Sequence, residues 1–406
     1  MNILLVSSKY PPEYAGSGLR AHNTYLRLQK KFNVNFQVLT SSITENSFKK
    51  YKINGISVTR IAKKTNIRLT IKKSDYFIIK FLKKIINKLF SIIDYWLEAI
   101  PTFLFLLKND KYIDVIHIFG ETWVTAATIT YAKFAKKPFI VELVNLKNSP
   151  HQYEPVCFSL LLGKFFSQKN KIICISKNLE KICLEHGYQS DQIWCRPNPI
   201  DESCFNFNYI KKRSLFPFLS EKDILLLHLA KFIPRKKQLF VVNLMQYLPE
   251  NYKLILAGPI VNSGPLKQRD NEYYQKIKHA INSLNLKKRV FLLPGFINNP
   301  QDYIKEADIF LLPSTIEAFG TPVFEAIACG VPAVTNDIPN VFDQWIKNGY
   351  NGYICKLDYQ LWVEKIQLAA KFDRETMKKA SNEILKSAST DVIDRKYFQL
   401  LRSMKN

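Results

Sequence analysis

Short, almost wholly apolar runs recur along this chain in two series, and one Pro-Asn-Pro break separates them. Ile3–Ser7, Val34–Thr40, Ile56–Arg60, Asp114–Phe119, Pro138–Leu143 and Lys171–Ile175 make the first series. Asp223–Ala230, Tyr252–Gly258, Val290–Leu293, Ile309–Pro313 and Ala333–Thr335 make the second. Such runs suit parallel strands buried on both faces, and stretches such as Leu19–Lys31 between them read as helices. Parallel strands need crossovers, so the alternation predicts α/β sheets with helices on both faces. Two prolines in Arg196-Pro197-Asn198-Pro199-Ile200-Asp201 stop regular structure there. We therefore expect an α/β fold of two Rossmann-like domains, 1–197 and 198–387. A chain of 406 residues is too long for one compact core. Residues 388–406 place Val392, Ile393, Tyr397, Leu400, Leu401 and Met404 at helical spacing, an amphipathic helix with one face to bury.

Charge narrows the partners. The chain has 59 Lys+Arg against 34 Asp+Glu, and residues 1–150 alone hold 24 basic and 9 acidic side chains. That surplus favours phosphorylated substrates, an acidic membrane surface or nucleic acid. Cysteines at 157, 174, 183, 195, 204, 329 and 355 form no Cys-x-x-Cys pair. Reduced thiols in a cytoplasmic protein explain them better than disulfides or zinc. Met1-Asn2-Ile3-Leu4-Leu5-Val6 reads as a first strand, not a signal peptide. No run of eighteen uninterrupted apolar residues occurs, so no transmembrane helix is expected.

Segment 74–109 stands apart. Phe77, Ile78, Phe81, Leu82, Ile85, Ile86, Leu89, Ile92, Ile93 and Trp96 recur at steps of three and four, opposite Lys80, Lys83, Lys84, Asn87, Lys88 and Ser91. Residues 60–90 hold ten Lys/Arg and one acid, Asp75. Such a helix can lie in a membrane interface, with 74–100 as the contacting part. It can equally pack on its own sheet with its lysines solvated.

The sharpest local signal is 307–326, where a buried run ends in Pro313-Ser314-Thr315-Ile316-Glu317-Ala318-Phe319-Gly320 and a helix starts near Thr321-Pro322. Proline suits a first helical turn. Gly320 lets the backbone approach a ligand, and amides at Gly320, Thr321 and Val323 would meet a diphosphate at the helix N-terminus. Glu325, one turn in, can accept bonds from ribose hydroxyls, and Glu317 from a sugar. Lys231 and Lys236, after the first strand of the second domain, are placed to neutralise the phosphates. Alone, Pro234-Arg235-Lys236-Lys237 would read as a solvated basic turn.

Together these segments make the chain resemble the family 4 glycosyltransferases of the GT-B fold. The specific part is Glu317–seven residues–Glu325, followed in register by Ala326-Ile327-Ala328-Cys329-Gly330-Val331-Pro332. The family's basic pair falls on Lys231 and Lys236, with lysine for the usual arginine at 231, which keeps the charge and loses the bidentate fork. The resemblance implies two Rossmann-like domains facing across a cleft, with the C-terminal helix returning to the first. It also implies a retaining transfer from a nucleotide-sugar co-substrate, UDP-sugar favoured, without cofactor. Lys231, Lys236 and Glu317 are the implied catalytic residues. Gly16, Ser17 and Gly18 are implied to approach the donor phosphates. Pro197–Asp201 resembles the interdomain hinge, and Asn348-Gly349-Tyr350-Asn351-Gly352 a loop past the site.

Arg20, His22, His117, Glu142 and Asn145 are candidates for sugar or acceptor contact, although a packed core histidine explains His117 equally well. Many members carry a histidine where this chain has Val144, so Glu142 or Asn145 takes part of that role or the donor differs. No Asp-x-Asp occurs, and no metal site is expected. The implied acceptor is a glycan or lipid-linked glycan of bacterial surface polysaccharide. The implied location is the cytoplasm, including the inner face of the membrane, with no nucleic-acid partner. Competing readings are a sugar-nucleotide epimerase of the same fold, a phosphorylase, and a non-catalytic basic protein that binds membranes or nucleic acid. A phosphorylase would need a much longer chain, and no interleaved aromatic–basic motif supports RNA binding.

Overall fold

The structure is a computed structural model. It describes the chain except residues 14–15, 43–44, 63, 66, 68, 72–73, 145–169, 208–213, 261–265 and 406, and except the side chains of 16–17. Two compact units result: Met1–Arg196 with Asp394–Asn406, and Pro197–Ile393.

The strands of unit 1 are β1 (Asn2–Ser7), β2 (Asn35–Thr40), β3 (Phe48–Ile53), β4 (Ile56–Ile61), β5 (Val115–Phe119), β6 (Phe139–Leu143), β7 (Lys171–Cys174) and β8 (Ile193–Cys195). They lie in the order β3-β4-β2-β1-β5-β6-β7-β8. All pair in parallel except β3, which forms an antiparallel hairpin with β4 through Asn54-Gly55. Sequence reading passes over β3 because Phe48-Lys49-Lys50-Tyr51-Lys52-Ile53 is a largely exposed edge strand, where lysines guard unpaired backbone. The three-residue β8 is too short to stand out.

Four described helices serve this sheet: α1 (Gly16–Phe32), α2 (Phe77–Asn109), α3 (Trp123–Phe134) and α4 (Lys177–Glu185). Helix α1 starts at Gly16, three residues before the expected Leu19, so Gly16-Ser17-Gly18 is a first helical turn and not a free loop. Glycine is needed at 18 for packing, since a Cβ there would sit 2.4 Å from the Lys9 carbonyl oxygen.

Helix α2 buries its polar side. Asp94, Tyr95, Glu98, Ala99, Thr102 and Leu106 face inward. The Thr65 amide donates to Asp94 at 2.6 Å and the Ser41 hydroxyl to Glu98 at 3.0 Å. Tyr95 and Ala99 pack on Ala127 of α3. The expectation of no transmembrane helix rested on the lack of an uninterrupted apolar run, and α2 has none either. By length and composition alone Phe77–Tyr112 is apolar enough to cross a membrane, with 33% of its most apolar window buried. Polar residues spaced along one side interrupt every apolar run without making the helix polar on average.

Unit 2 holds β9 (Ile224–Leu229), β10 (Tyr252–Gly258), β11 (Val290–Pro294), β12 (Ile309–Leu312), β13 (Ala333–Asn336) and β14 (Gly352–Cys355). Their order is β11-β10-β9-β12-β13-β14, parallel throughout. Counted within the unit this is 3-2-1-4-5-6, the Rossmann order, and its reversal falls between β9 and β12. Helices α5 (Gln238–Leu244), α6 (Lys267–Ser283), α7 (Pro300–Glu306), α8 (Thr321–Ala328), α9 (Tyr359–Ala369) and α10 (Arg374–Ala388) complete the alternation. Leu226, Val241, Leu254, Ile277 and Trp362 centre one core on this sheet.

The C-terminal helix α11 (Thr390–Lys405) begins in unit 2 and continues in unit 1. There Arg27 forks onto Asp394 at 2.8 and 3.0 Å, and Phe32 stacks on Phe398. The expected loop at Asn348–Gly352 leads into β14, where the Asn348 side chain accepts the Ile354 amide at 2.8 Å.

Candidate active site

At a strand-order reversal the two central crossovers leave toward opposite faces, and a crevice opens at the strands' carboxyl ends. In unit 2 the segments there are 230–237, after β9, and 313–320, after β12. Hydrogen bonds stitch them together although they lie about eighty residues apart in sequence. The Thr315 amide donates to the Arg235 carbonyl at 2.9 Å. The Arg235 guanidinium donates to the Ile316 carbonyl at 3.0 Å. The Lys236 ammonium donates to the Glu317 carboxylate. Lys231 stands exposed on the same turn, its carbonyl accepting from Gln238 at 2.7 Å.

Gly320 caps α8 in the left-handed region, at φ 76°. A Cβ there would lie 2.3 Å from the Phe342 ring, so both conformation and space demand glycine. This cap alters the expected row of amides. The Val323 amide bonds back to the Gly320 carbonyl at 2.9 Å, and Pro322 has none to offer. The first turn therefore presents chiefly the Thr321 amide. The Thr321 hydroxyl accepts from Asn198 of the Pro-Asn-Pro segment at 2.8 Å, a link between motif and hinge that sequence reading did not foresee. Glu325 is half-buried on α8, and its carboxyl has no hydrogen bond or ion pair among the described residues. Burial pushes its carboxyl up to about 8.

Three further polar groups at this end of the sheet escaped sequence reading. Both ring nitrogens of buried His228 lack a hydrogen-bond partner among the described residues, as do the hydroxyls of Ser314 and Thr335. Burial, helped by the Lys236 charge, holds His228 neutral with its pKa down at about 3. These groups ride on β9, just after β12, and on β13, which are adjacent strands. The signal was a lone histidine within Ile224-Leu225-Leu226-Leu227-His228-Leu229, a polar residue in a run that asks for none.

The candidates of unit 1 have a different setting. Glu142 is fully buried at the end of β6. It accepts from Arg196 at 2.7 Å, from Arg20 at 2.9 Å and from the Tyr397 hydroxyl of α11. Burial alone would raise its pKa, but Arg196, His117 and Arg20 hold it well below the carboxylate range. His117, also fully buried, pairs with the Tyr25 hydroxyl at 2.7 Å and lies 3.5 Å from Glu142. Burial lowers its pKa. His22 is buried separately, one nitrogen on the Tyr10 hydroxyl and the other 3.1 Å from the Asn54 amide. Arg20, His117 and Glu142, expected to touch sugar or acceptor, thus bond to one another and to Tyr25, Arg196 and Tyr397, while the Nε of Arg20 keeps no hydrogen-bond partner among the described residues. Gly16 and Ser17 are placed as backbone only, and Asn145 lies outside the described residues. Among the described residues, no group of His, Cys, Asp and Glu is arranged to hold a metal ion.

Comparisons with known proteins bear on the family and the fold. A family model for glycosyl transferases group 1 matches residues 211–386. The UDP-Gal:alpha-D-GlcNAc-diphosphoundecaprenol alpha-1,3-galactosyltransferase of Escherichia coli is 26% identical over 62% of this chain and 65% of its own. The alignment thus spans just under two-thirds of that relative. Anabaena HepE in complex with UDP and glucose superposes with a TM-score of 0.68 at 16% identity, over 99% of this chain and all of that one. The lipopolysaccharide outer core galactosyltransferase WaaB superposes at 0.65 and 13% identity, over 99% of both chains. At such identities the solved structures speak for the fold, which is GT-B.

Proposed function

We propose that this chain, whose residues 211–386 match the model of the group 1 glycosyl transferases, moves a sugar from a UDP-sugar to a glycan or lipid-linked acceptor in bacterial surface-polysaccharide synthesis. The observation that carries this reading is the stitched pair of loops at the strand-order reversal of unit 2. There Lys236 and Glu317 meet beside the α8 N-terminus, with Glu325 one turn further on.

An ammonium has three donors, and Glu317 engages one of them, which leaves two for phosphate oxygens. Glu317 thereby orients Lys236 and keeps a second carboxylate oxygen for a sugar hydroxyl. Lys231 adds charge on the same turn, and the Thr321 amide adds a fixed dipole at the helix terminus. Glu325 suits a ribose. As the bond from the anomeric carbon to the phosphate oxygen breaks, negative charge grows on the departing diphosphate. Contacts that strengthen at that moment lower the barrier and do more than bind. The acceptor oxygen bonds to the anomeric carbon on the same face, and its proton goes to the leaving phosphate, so configuration is retained. Two lysines and a helix terminus do the work a metal ion would otherwise do. The UDP donor draws support from HepE, whose structure holds UDP and glucose. The lipid-linked acceptor draws support from the Escherichia coli relative, whose name gives a diphosphoundecaprenol acceptor. The cytoplasmic face of the membrane is the setting this reading implies.

A thermal-shift screen against UDP-, GDP-, ADP- and CMP-sugars, with and without EDTA, tests it. A ligand at 100 times its Kd adds about 2.7 kcal/mol to the folded state, so stabilisation by UDP-sugars unchanged by EDTA is expected. Stabilisation that EDTA abolishes would end the metal-free reading, and no response to any nucleotide sugar would end the donor reading.

A further inference from the structure

Helix α2 is built inside out for a protein surrounded by water. Its acidic and hydroxyl side chains, Asp94, Glu98 and Thr102, point into unit 1. Its apolar stripe points away from it. From Ile78 through Leu82, Leu89, Trp96 and Leu104 to Leu107, at helical steps, every one of these side chains is at least 42% exposed. The stripe runs nearly the full 33 residues, about 50 Å at 1.5 Å per residue. Beside its second half it opens into a groove of about 560 Å³, walled by Phe48 and Ile61 of the β3–β4 hairpin and by Ile100 and Leu104. Single exposed apolar residues are ordinary, but a continuous band of this length marks an interaction surface.

Charge identifies the occupant. Lys80, Lys84 and Lys88 lie on the side of the helix away from the stripe, Lys49, Lys50 and Lys52 are exposed on the edge strand β3, and residues 60–90 hold ten basic side chains to one acid. A second copy would bring the same positive charge to the same stripe and be repelled. Anionic headgroups beside a hydrocarbon layer complement both features. Exposed Tyr76 and Tyr112 flank the helix, with Trp96 between them, and such side chains favour the level of the headgroups.

The contacts of Asp94 and Glu98 also settle the orientation. They tie the second half of the helix lengthwise to unit 1 through Thr65 and Ser41, so a crossing helix would break these bonds or drag the domain into lipid. We propose that α2 is a monotopic membrane-docking helix, lying in the plane of an anionic bilayer with its exposed apolar stripe immersed among the acyl chains. The inference rests on unit 1 and is independent of the donor site.

Co-sedimentation of the full chain with vesicles tests it. Binding to phosphatidylglycerol–phosphatidylcholine vesicles is expected to exceed binding to phosphatidylcholine alone. Leu82→Glu, Leu89→Glu and Leu104→Glu together should weaken it by at least about tenfold. All three sites are exposed, so the variant should keep its melting temperature and its UDP response. Equal binding by the variant, or no binding by the natural chain, overturns the proposal. A dimer without lipid that the variant dissolves would assign the stripe to a second copy. Resistance of the bound protein to carbonate extraction would show a span instead of an in-plane helix. Loss of UDP stabilisation alone would count against the donor site and leave this inference standing.

Discussion

Two glutamates, each near a strand end of its own Rossmann-like sheet, live under opposite regimes. Glu142 of unit 1 is enclosed by Arg20, Arg196, His117 and Tyr397, and its polar atoms are spoken for. The Glu325 carboxyl of unit 2 has no hydrogen bond or ion pair among the described residues, and in the same unit His228, Ser314 and Thr335 also keep polar atoms without one. A charge cluster that closes on itself stabilises a fold. Buried polar groups left open at the carboxyl end of a sheet suit a ligand. Similar residue types therefore sit among charged partners in one unit and beside unpartnered polar groups in the other.

The strongest way to break this contrast is Glu142→Gln. Removing one partner of a buried ion cluster strands the others, which costs about 3–5 kcal/mol. Denaturant unfolding should show that loss, while the protein that remains folded still responds to UDP-sugar. A stable variant with abolished turnover would move Glu142 into the catalytic machinery. Lys236→Ala should do the reverse, lowering kcat about a hundredfold, or roughly 2.7 kcal/mol in the transition state, with a much smaller change in stability. Full activity in that variant would remove Lys236 from the site.

The pH dependence sharpens the comparison further, because the two glutamates have opposite signs. Glu142 is held below its ordinary value of 4.5 in the folded state, so its contribution is present above that pH and is lost on acidification. Glu325 keeps its proton up to about 8 when folded but releases it near 4.5 when unfolded. The folded state then binds the extra proton between those values, and stability falls as pH rises from about 4.5 to 8. Glu325→Gln should erase that slope, gaining about 1–2 kcal/mol at pH 8 once its partial exposure is allowed for. Parallel stability–pH curves for the two proteins would refute the buried setting of Glu325. Tyr397→Phe, which removes a hydroxyl bonded to Glu142 and in longer contact with Arg196 and His117, should cost less than Glu142→Gln, about 1.5–3 kcal/mol, read as a shift in the denaturation midpoint.

Much of this was legible before any coordinates. The apolar runs behind β1, β6, β9 and β12 were visible because parallel strands buried on both faces leave no room for polar alternation. The Glu317–Glu325 run was visible because a strand, a glycine cap and a Pro-started helix follow one another locally. Strand β3 was not, since an edge strand dressed in lysines has no apolar pattern to find. Nor was the narrowing of the α8 amides, which depends on where a left-handed Gly320 aims its carbonyl. His117 and Glu142 were noticed, but their partners come from α1, the chain just after β8, and α11, segments that no local pattern connects.

Sequence alone therefore determined the two parallel-sheet units, the break between them and the motif on which the donor site is proposed, because each depends on residues close together along the chain. Only tertiary structure decided that Lys236 meets Glu317, that Glu142 is sealed by Arg196 and Tyr397, and that α2 hides its acids and shows its leucines. Those outcomes turn on which distant group supplies a hydrogen bond. A buried charge is tolerated only where the folded chain brings it a partner, and Thr65 and Ser41 reach Asp94 and Glu98 only after folding.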